Sequence, residues 1–508
     1  MIATALGLIY AFAAILLTLY ALNAWMLTTL FLWHKHRQSP VPPPAPLPVV
    51  TVQLPIYNEA LVVERLIDAV ANLDYPRHLL QIQILDDSID ETTKLAQARA
   101  EFYRRQGLDI EVIHRQDRSG FKAGALQGGL ERAKGEFIAI FDADFVPAAD
   151  FLRRTIPHFA GQPGIGFLQS RWGHLNPEYS WLTGAQSIAL DGHFVVEQTA
   201  RHRAGLLMNF NGSGGVWRRA CIDEAGGWHG DTISEDLDLS YRAQLVGWQC
   251  LYLPDVVAPA EIPPQLAAFK QQQFRWAKGS IQCLKKLSRP VLRSPLAWWV
   301  KLQALVHLSS YLIHPLMIVL LLVSLPLMLG AARVDFPLAY LSLFSLGPPV
   351  LYAVALQTLY GRRWRQRYRY MLLLVLLGTG IALSNSRAVI EALLGMGNIF
   401  RRTPKFHVEH HSDRWQESVY KLPFEGVVLG ELGLSLYALV ALWAALSSKH
   451  VFALPFILIY AVGFGYVGLK GLWDVRREGW SWLRVRLGRV PRRQPRGRRR
   501  AIASGRSS

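Results

Sequence analysis

Charge and cysteine are both scarce in this sequence of 508 residues. Only 18% of the residues are charged and 51% are hydrophobic, a balance too apolar for an ordinary soluble protein with many exposed faces. The three cysteines, Cys221, Cys250 and Cys283, are widely spaced and form no C-x-x-C motif. This spacing predicts neither a disulfide framework nor a zinc site, and it agrees with a reducing compartment.

Charge is missing altogether from three long segments, and two later segments carry at most one charged residue. Each is close to or longer than the roughly 20 residues that cross a hydrocarbon core as a helix. The first lacks the basic start and the small-residue cleavage site of a signal peptide, so we expect a retained anchor. The sequence therefore predicts five membrane spans. They are residues 1–33, 302–332, 336–361, 426–448 with the single acid Glu431, and 451–469.

The basic residues behind the formal charge of +18 cluster beside the apolar segments. Basic residues in that position mark the cytoplasmic side of a membrane and attract anionic lipid. The pattern predicts an integral protein of the plasma (inner) membrane whose soluble domain is cytoplasmic. Its partners would include membrane lipids and no nucleic acid. The basic clusters are residues 34–37, 361–369 and 492–500.

The apolar stretch over residues 370–397 does not fit this topology as a full span. A crossing there would put the basic segment RRTPK that follows it on the outer side of the membrane. We expect a re-entrant or interfacial element instead. The predicted regions are an anchor over residues 1–38, a cytoplasmic domain over 39–295, membrane and interfacial helices over 296–475, and a basic cytoplasmic tail over 476–508.

Within the predicted cytoplasmic domain, short β-rich runs alternate with amphipathic helical patterns. That alternation predicts an α/β fold with a mainly parallel sheet, whose ligands lie at the carboxyl ends of the strands. Acidic motifs follow two of these strands directly, LDDS after the second and DAD after the fourth. The predicted strands are residues 49–57, 81–88, 110–115 and 136–144.

The acidic motifs at the strand ends are candidate metal and nucleotide ligands. Asp142 and Asp144 point to one side of an extended segment, because a single alanine separates them. Two such carboxylates suit Mg²⁺ or Mn²⁺ that is already bound to phosphates. Asp86 and Asp87 offer acceptors to a nucleotide base or ribose, although one of the pair is equally suited to capping the helix that follows.

Lys122 and Asp236 are candidates for the charges that a transfer reaction needs. Lys122 lies between two glycines in SGFKAGAL and can neutralise a diphosphate leaving group, or it is a solvated surface lysine. Asp236 follows Glu235 in ISEDLDLS at the start of an amphipathic helix. It is either a helix cap or the general base that removes a proton from an attacking hydroxyl.

Two further motifs suit a sugar. The glycine-rich run FNGSGGV over residues 210–216 lacks the phosphate-loop pattern and favours close backbone approach to a sugar. Gln272, Arg275 and Trp276 lie within one helical turn and can face one ligand. The indole can stack on a sugar and the guanidinium can bind a phosphate. Trp276 is also typical of a helix at a membrane boundary.

Together these motifs resemble the D, D-x-D, E-D and Q-x-x-R-W series of the processive family-2 glycosyltransferases of the cellulose synthase superfamily. The chain looks closest to the cellulose-synthase-like β-mannan (glucomannan) and xyloglucan-backbone synthases. The similar phrases run from about residue 49 to residue 280 and include VQLPIYNE, ILDDSIDET, AIFDADF, LDGHFVVEQ, FNGSGGVWR and SEDLDLSYRAQLVGW.

The resemblance extends to a gating loop over residues 398–406. FRRTPK is similar to the F-x-V-T-x-K loop of cellulose synthases, although Arg402 stands in place of the usual Val. Two other departures are the single span before the cytoplasmic domain, where bacterial cellulose synthases have two, and the basic tail in place of a cyclic-nucleotide-sensing domain.

The resemblance implies a GT-A-type nucleotide-sugar-binding domain with Mg²⁺ or Mn²⁺ on Asp142 and Asp144, and with Asp236 and Glu235 at the catalytic position. The nucleotide sugar would contact Asp86, Asp87, Lys122, Asp142, Asp144, Gln272, Arg275, Thr403 and Lys405. The acceptor would contact Trp276, Asn211, Gly212, Ser213 and Asp191.

On this resemblance the chain is expected to be an inverting, metal-dependent membrane β-glycosyltransferase. It would transfer glucose from UDP-Glc or mannose from GDP-Man to the non-reducing end of a growing β-glucan or mannan, and translocate the product. The alternative is a non-processive enzyme that glycosylates a ceramide or a diacylglycerol with similar motifs. A membrane scaffold with a degenerate transferase domain is disfavoured, because every expected carboxylate is present.

Overall fold

The computed structural model describes most of the chain, and the loop after the bent helix pair only in part. Residues 398–401 of the predicted gating loop and the basic cluster 492–500 lie outside the described residues. The described residues are 2–37, 46–329, 342–397, 402–410, 412–413, 415, 420, 422, 425–448 and 451–486.

Seven strands of the soluble domain form one sheet. They are β1 (Val50–Ile56), β2 (Leu80–Asp86), β3 (Asp109–His114), β4 (Phe137–Ile140), β5 (Ile165–His174), β6 (Gly215–Arg218) and β7 (Gln249–Ala260). Their order is β3-β2-β1-β4-β6-β5-β7, and only β6 runs antiparallel to its neighbours. The predicted α/β fold with a mainly parallel sheet is confirmed, and β5, β6 and β7 are strands that the sequence analysis did not identify.

Helices cover the sheet and continue into the apolar half of the chain. They are α1 (Ile2–His34), α2 (Val63–Ala71), α3 (Thr92–Arg104), α4 (Phe121–Leu130), α5 (Phe151–Thr155), α6 (Trp181–Asp191), α7 (Gln198–Arg203), α8 (Arg219–Glu224), α9 (Glu235–Leu245), α10 (Leu266–Arg293), α11 (Trp298–Leu308), α12 (Ile313–Leu329), α13 (Gly347–Tyr360), α14 (Trp364–Tyr368), α15 (Met371–Gly380), α16 (Ala382–Leu393), α17 (Val427–Ser447) and α18 (Leu454–Arg486). A π-helical turn, Gly192–Glu197, joins α6 to α7.

The central strands are buried on both faces, as parallel strands between helical layers are. In β1 the side chains of Val52 and Leu54 are 0% exposed on one face, and Gln53 is 0% exposed on the other. The side-chain amide of Gln53 donates a hydrogen bond from Nε2 to the side-chain oxygen Oε1 of Gln83 on β2, at 3.0 Å. This side-chain pairing joins β1 to β2 and supports the register of the strands whose carboxyl ends form the site.

Four of the described helices are long and apolar enough to cross a membrane, or five if the bent pair α15 and α16 is one span. They are Ile2–His34, Ser310–Leu329, Val427–Ser447 and Leu454–Asp474. The predicted span over 302–332 is divided, because α11 ends before the candidate span begins. The predicted span over 336–361 contains α13, which has 14 residues and is too short to cross alone, and residues 330–341 lie outside the described part. The predicted re-entrant element over 370–397 corresponds to α15 and α16, which meet at 45°.

Candidate active site

One cavity of about 190 Å³ opens at the carboxyl ends of β1, β2 and β4. The N-terminus of α9, one face of α10 and residues 402–405 form its other walls. The cavity therefore collects side chains that lie far apart in the sequence. The predicted site residues that line it are Asp87, Lys122, Asp142, Asp144, Asn211, Gly212, Glu235, Asp236, Gln272, Arg275, Trp276, Thr403 and Lys405.

Asp142 and Asp144 follow β4 and face this cavity together. The Asp142 amide donates a hydrogen bond at 2.9 Å to Ser213 Oγ, which fixes the turn after the strand. Asp144 Oδ2 accepts a hydrogen bond from Lys405 Nζ at 2.5 Å, whereas its buried Oδ1 has no hydrogen-bond partner among the described residues. Two carboxylates with an unpartnered buried oxygen fit a hard divalent cation whose other ligands are phosphate and water.

Lys122 supplies a fixed positive charge to the cavity. It lies in the first turn of α4, after Gly120, whose φ of 69° is left-handed. Lys122 Nζ donates hydrogen bonds to Asp142 Oδ1 at 2.6 Å and to the Gly212 carbonyl at 2.8 Å, and lies 3.7 Å from the Glu235 carboxylate. Burial disfavours the ammonium, but the nearby carboxylates outweigh it and raise the pKa of Lys122.

Glu235 and Asp236 form the first turn of α9. Asp236 Oδ1 accepts a hydrogen bond from the Leu237 amide at 2.8 Å. Burial, reinforced by the adjacent Glu235 carboxylate, raises the pKa of Asp236 to about 7. Burial also raises the pKa of Glu235. A carboxyl group that titrates near neutrality can accept a proton during a reaction and release it afterwards.

The glycine-rich run brings backbone close to Asp236. Gly212 has a φ of 80°, and a Cβ there would lie 2.9 Å from Asp236 Oδ2 and 3.3 Å from Lys122 Nζ. The position therefore favours glycine for both conformation and space. Its neighbour Asn211 is held by His193, whose Nε2 lies 3.0 Å from Asn211 Oδ1.

The middle of α10 and residues 402–405 meet across the mouth of the cavity. Arg275 Nη2 donates a hydrogen bond to Thr403 Oγ1 at 3.0 Å, and Trp276 and Gln272 line the same wall. Lys405 contacts Asp144 and Thr403 contacts Arg275, so the predicted gating-loop residues lie against both the acidic motif and the helix that carries Q-x-x-R-W.

Glu59 and Arg402 also line the cavity, although the sequence predicts no role for either of them. They lie 2.9 Å apart as an ion pair, and the Arg402 guanidinium lies 4.0 Å from the centre of the Tyr420 ring. Burial raises the pKa of Glu59 to about 7, although Arg402 opposes this shift. The sequence feature that could have indicated a role for Glu59 is its position in YNE, just after the carboxyl end of β1.

Three predicted site residues do not line the cavity: Asp86, Ser213 and Asp191. Asp86 is 0% exposed, accepts a hydrogen bond from Thr93 Oγ1 at 2.6 Å, and lies 2.8 Å from His114 Nδ1, so its contacts are with α3 and β3. Ser213 is buried behind the D-x-D turn. Asp191 is buried and lies 2.8 Å from His174 Nε2, at the end of α6.

A separate cluster brings three possible metal ligands together, His229, Asp231 and Asp238. The Lys286 ammonium already lies among them, 3.0 Å from His229 Nδ1, 2.8 Å from Asp231 and 3.0 Å from Asp238. Because a cation of the protein itself balances these carboxylates, the cluster joins α9 to α10 without needing a metal.

Comparison with known proteins matches the part of the chain that carries most of the residues lining this cavity. Residues 46–279 match the family model described as Glycosyltransferase like family 2. The chain is 41% identical over 259 residues to Glucomannan 4-beta-mannosyltransferase 2 of Arabidopsis thaliana, covering 50% of this chain and 48% of that protein. It is 42% identical over 249 residues to Probable glucomannan 4-beta-mannosyltransferase 7 of Oryza sativa subsp. japonica, covering 48% and 43%. The chain thus spans about half the length of these curated relatives.

A solved structure shares the fold. The mannosyltransferase PcManGT from Pyrobaculum calidifontis, determined with GDP-Man and Mn²⁺, superposes with a TM-score of 0.54 at 23% identity, over 77% of this chain and 100% of that one. The likeness supports the predicted GT-A-type fold of the soluble domain, now seen as the sheet described above.

Proposed function

We propose that this chain, whose residues 46–279 match the glycosyltransferase family 2 model, is a membrane-bound inverting β-glycosyltransferase that adds mannose from GDP-Man to a β-mannan or glucomannan chain. Mannose is favoured over glucose as the transferred sugar because the relatives that are about two-fifths identical are named mannosyltransferases. The observation that supports the reaction type is that Asp236, whose pKa is raised to about 7, lies in one cavity with the D-x-D carboxylates and Lys122.

In the proposed reaction, Asp236 takes the proton from the terminal hydroxyl of the acceptor. The hydroxyl oxygen forms a bond to the anomeric carbon while the bond from that carbon to the diphosphate breaks, and the electron pair leaves with GDP. Attack opposite the leaving group inverts the anomeric centre. Trp276, on the cavity wall, offers its indole as a stacking surface for the acceptor sugar.

The departing diphosphate carries negative charge that the cavity is equipped to stabilise. Lys122, Arg275 and Lys405 are cations that line it, and such preorganised charges act where negative charge develops. Asp142 and Asp144 would hold Mg²⁺ or Mn²⁺, which neutralises phosphate oxygens when it is bound. Because Lys405 now pairs with Asp144, that lysine would move from the carboxylate to a phosphate when the metal binds.

The proposal extends to a processive enzyme whose product leaves through the membrane helices. What supports it is α10, which carries Trp276 and Arg275, packs against α16 of the bent pair, and is joined to the candidate span α17 by the Lys270–Glu431 ion pair. We place the catalytic domain in the cytoplasm, on the basic side of the spans.

A nucleotide-sugar panel tests the proposed function. Purified protein in lipid nanodiscs is given radiolabelled GDP-Man or UDP-Glc with a β-mannan oligosaccharide and Mn²⁺ or Mg²⁺, and the products are sized and analysed for linkage. We expect polymeric β-linked mannose from GDP-Man, and no product after chelation of the metal. Incorporation from UDP-Glc alone would overturn the donor, a single-sugar glycolipid would overturn the polymer, and no transfer from any donor would favour a scaffold.

A further inference from the structure

Helix α10 has two chemically different faces. Gln272, Arg275 and Trp276 line the cavity on one face. At 100° per residue, Lys270 projects from the side opposite Gln272. Lys278 lies about 60° around the helix from Arg275, at the edge of the cavity face. Both lysines are nearly inaccessible, with side chains 7% and 4% exposed. A buried ammonium is costly unless it is paired, so the partners of these lysines indicate their role.

The partner of Lys270 is the acid in the fourth predicted span, Glu431. Lys270 Nζ donates a hydrogen bond to Glu431 Oε1 at 2.6 Å, and the Glu431 side chain is 0% exposed. Glu431 lies in the second turn of α17, one of the four candidate spans. Burying an ionisable residue inside a membrane segment costs free energy, and such residues usually have a functional role. Contact with lipid would not favour a glutamate at this position, so we expect its role to lie in its pairing with Lys270.

The partner of Lys278 is Glu391 on the bent helix α16. Lys278 Nζ lies 3.0 Å from Glu391 Oε2 and also donates a hydrogen bond to the Gly397 carbonyl at 3.0 Å. Lys278 is eight residues after Lys270, and the two pairs therefore bracket the Q-x-x-R-W motif. Gly397 lies on the stretch of chain that leads from α16 towards Thr403 and Lys405.

Stability alone does not account for these pairs. Apolar residues of similar volume often replace a buried ion pair without loss of stability, whereas a direction-dependent pair fixes one register of two packed helices. The hydrogen bond from Lys270 to Glu431 joins one point of α10 to one point of α17, while α10 packs along α16, which carries Glu391. These contacts set where the cavity-facing side chains of α10 stand relative to Asp236.

We propose that Lys270 and Glu431, supported by Lys278 and Glu391, are positioning residues that fix α10 against the membrane helices, and thereby align Arg275 and Trp276 with the base Asp236. This inference rests on the proposed function for its activity readout and goes beyond it, because none of the four residues touches the reacting atoms. A displacement of about 1 Å in such an alignment costs on the order of 10²-fold in rate.

The test compares four variants of the full-length protein in nanodiscs: Lys270→Met, Glu431→Leu, the apolar double Lys270→Met/Glu431→Leu, and the reversed double Lys270→Glu/Glu431→Lys. We expect the single variants to lose about 10- to 100-fold in kcat with little change in KM for GDP-Man. The reversed double should recover most of the rate. The apolar double should melt at or above the wild-type temperature and still be slow, because it lacks the register that the pair imposes.

The apolar double variant shows whether the Lys270–Glu431 pair positions α10 or only stabilises the fold. A wild-type kcat in that variant would overturn the proposal, even if both single variants fail to fold. Replacing the pair Lys470 and Asp474, which lies within α18, with Met and Leu is the matched control and should leave kcat unchanged.

Hydrogen exchange separates this proposal from the proposed function. Backbone amides of residues 271–276 should exchange about tenfold faster in the apolar double than in the wild type, while those of α9 stay unchanged. If wild-type protein transfers no sugar, the proposed function fails but this measurement still tests the anchoring. Equal exchange of residues 271–276 in both proteins would overturn it.

Discussion

At the scale of single residues, the proposed chemistry depends most on Asp236. Asp236→Asn keeps the shape of the side chain but removes its ability to accept a proton. We expect transfer to fall by about 10²–10⁴-fold, while GDP binding changes little because the cationic residues remain. The measurement pairs radiolabelled transfer with GDP titration by calorimetry. Asp223→Asn, at a half-exposed carboxylate on α8, is the control, and more than half of the activity left in Asp236→Asn would contradict the assignment.

The pKa of Asp236 also predicts a pH profile. Its carboxyl titrates at about 7, so a proton occupies the base below that pH and the base is free above it. The rate should therefore rise about tenfold per unit up to about pH 7 and then level off. Because the Glu235 carboxyl adjoins it, the apparent value belongs to the pair. A flat kcat/KM profile between about pH 5.5 and about pH 8 would rule out this base.

The sequence predicts that acidic residues follow the strands, but it does not tell which of two adjacent acids faces the cavity. Asp86 and Asp87 are adjacent, and only the direction of each side chain at the end of β2 separates them. Asp86 turns towards Thr93, while Asp87 faces the cavity and is bound by Arg115 at 2.6 Å. The sequence does not predict a role for Glu59, because its partner Arg402 lies more than 300 residues further along the chain and no local pattern indicates such a contact.

At the scale of elements, the segment that carries Thr403 and Lys405 is predicted to control chain growth. It is anchored to the domain by the Phe406 amide, which donates a hydrogen bond to Glu261 Oε1 at 2.9 Å. Closing segments complete a site and exclude water, and they must reopen after each addition.

Lys405→Ala should therefore slow elongation severely, while it weakens GDP-Man binding less than Asp144→Asn does. Product length and donor affinity, measured on the same preparations, check this. Lys134→Ala is a suitable control because Lys134 is exposed and pairs with Asp109, and neither residue lines the cavity. Unchanged elongation in Lys405→Ala would make this segment a basic patch without a role in growth.

Elements differ in how far the sequence predicts them. The first four strands along the chain, β1 to β4, are apolar runs bounded by turn residues, and all four were predicted. Strands β5 and β7 pair through a register with irregularities near Arg171, and β6 is the short segment GVWR, which begins with glycine, so none of these three strands has a clear period. The break between α11 and α12 near Ser309 also has no clear sequence signal, because the apolar run continues through it.

At the scale of the whole molecule, the soluble domain and the membrane helices are joined at several places. Helix α10 is bound to α16 and α17 by its lysines, and residues 402–409 return from the membrane half to the strand ends. The sequence predicts both halves separately from composition and periodicity. It does not predict their relative placement, which depends on contacts between distant segments such as Lys270 and Glu431.

The placement also fixes which basic segment shares a side of the membrane with the catalytic domain. Arg367 donates a hydrogen bond to Ser187 Oγ at 3.2 Å, and the Tyr360 hydroxyl lies 3.3 Å from Asp191 Oδ2. Both partners belong to α6 of the soluble domain. The basic cluster 361–369 must therefore lie on the same side as that domain, whichever side it is.

Cysteine labelling then tests the orientation. In a background with the three native cysteines replaced by serine, Arg362→Cys and Ile89→Cys should react with a membrane-impermeant maleimide only after permeabilisation, because basic flanks stay in the cytoplasm. Both positions are exposed. Ser448→Cys, at the exposed end of α17, should label in intact cells if α17 and α18 form a hairpin. Labelling of Arg362→Cys and Ile89→Cys on opposite sides would contradict the contacts with α6, whereas labelling of both in intact cells would invert the proposed topology.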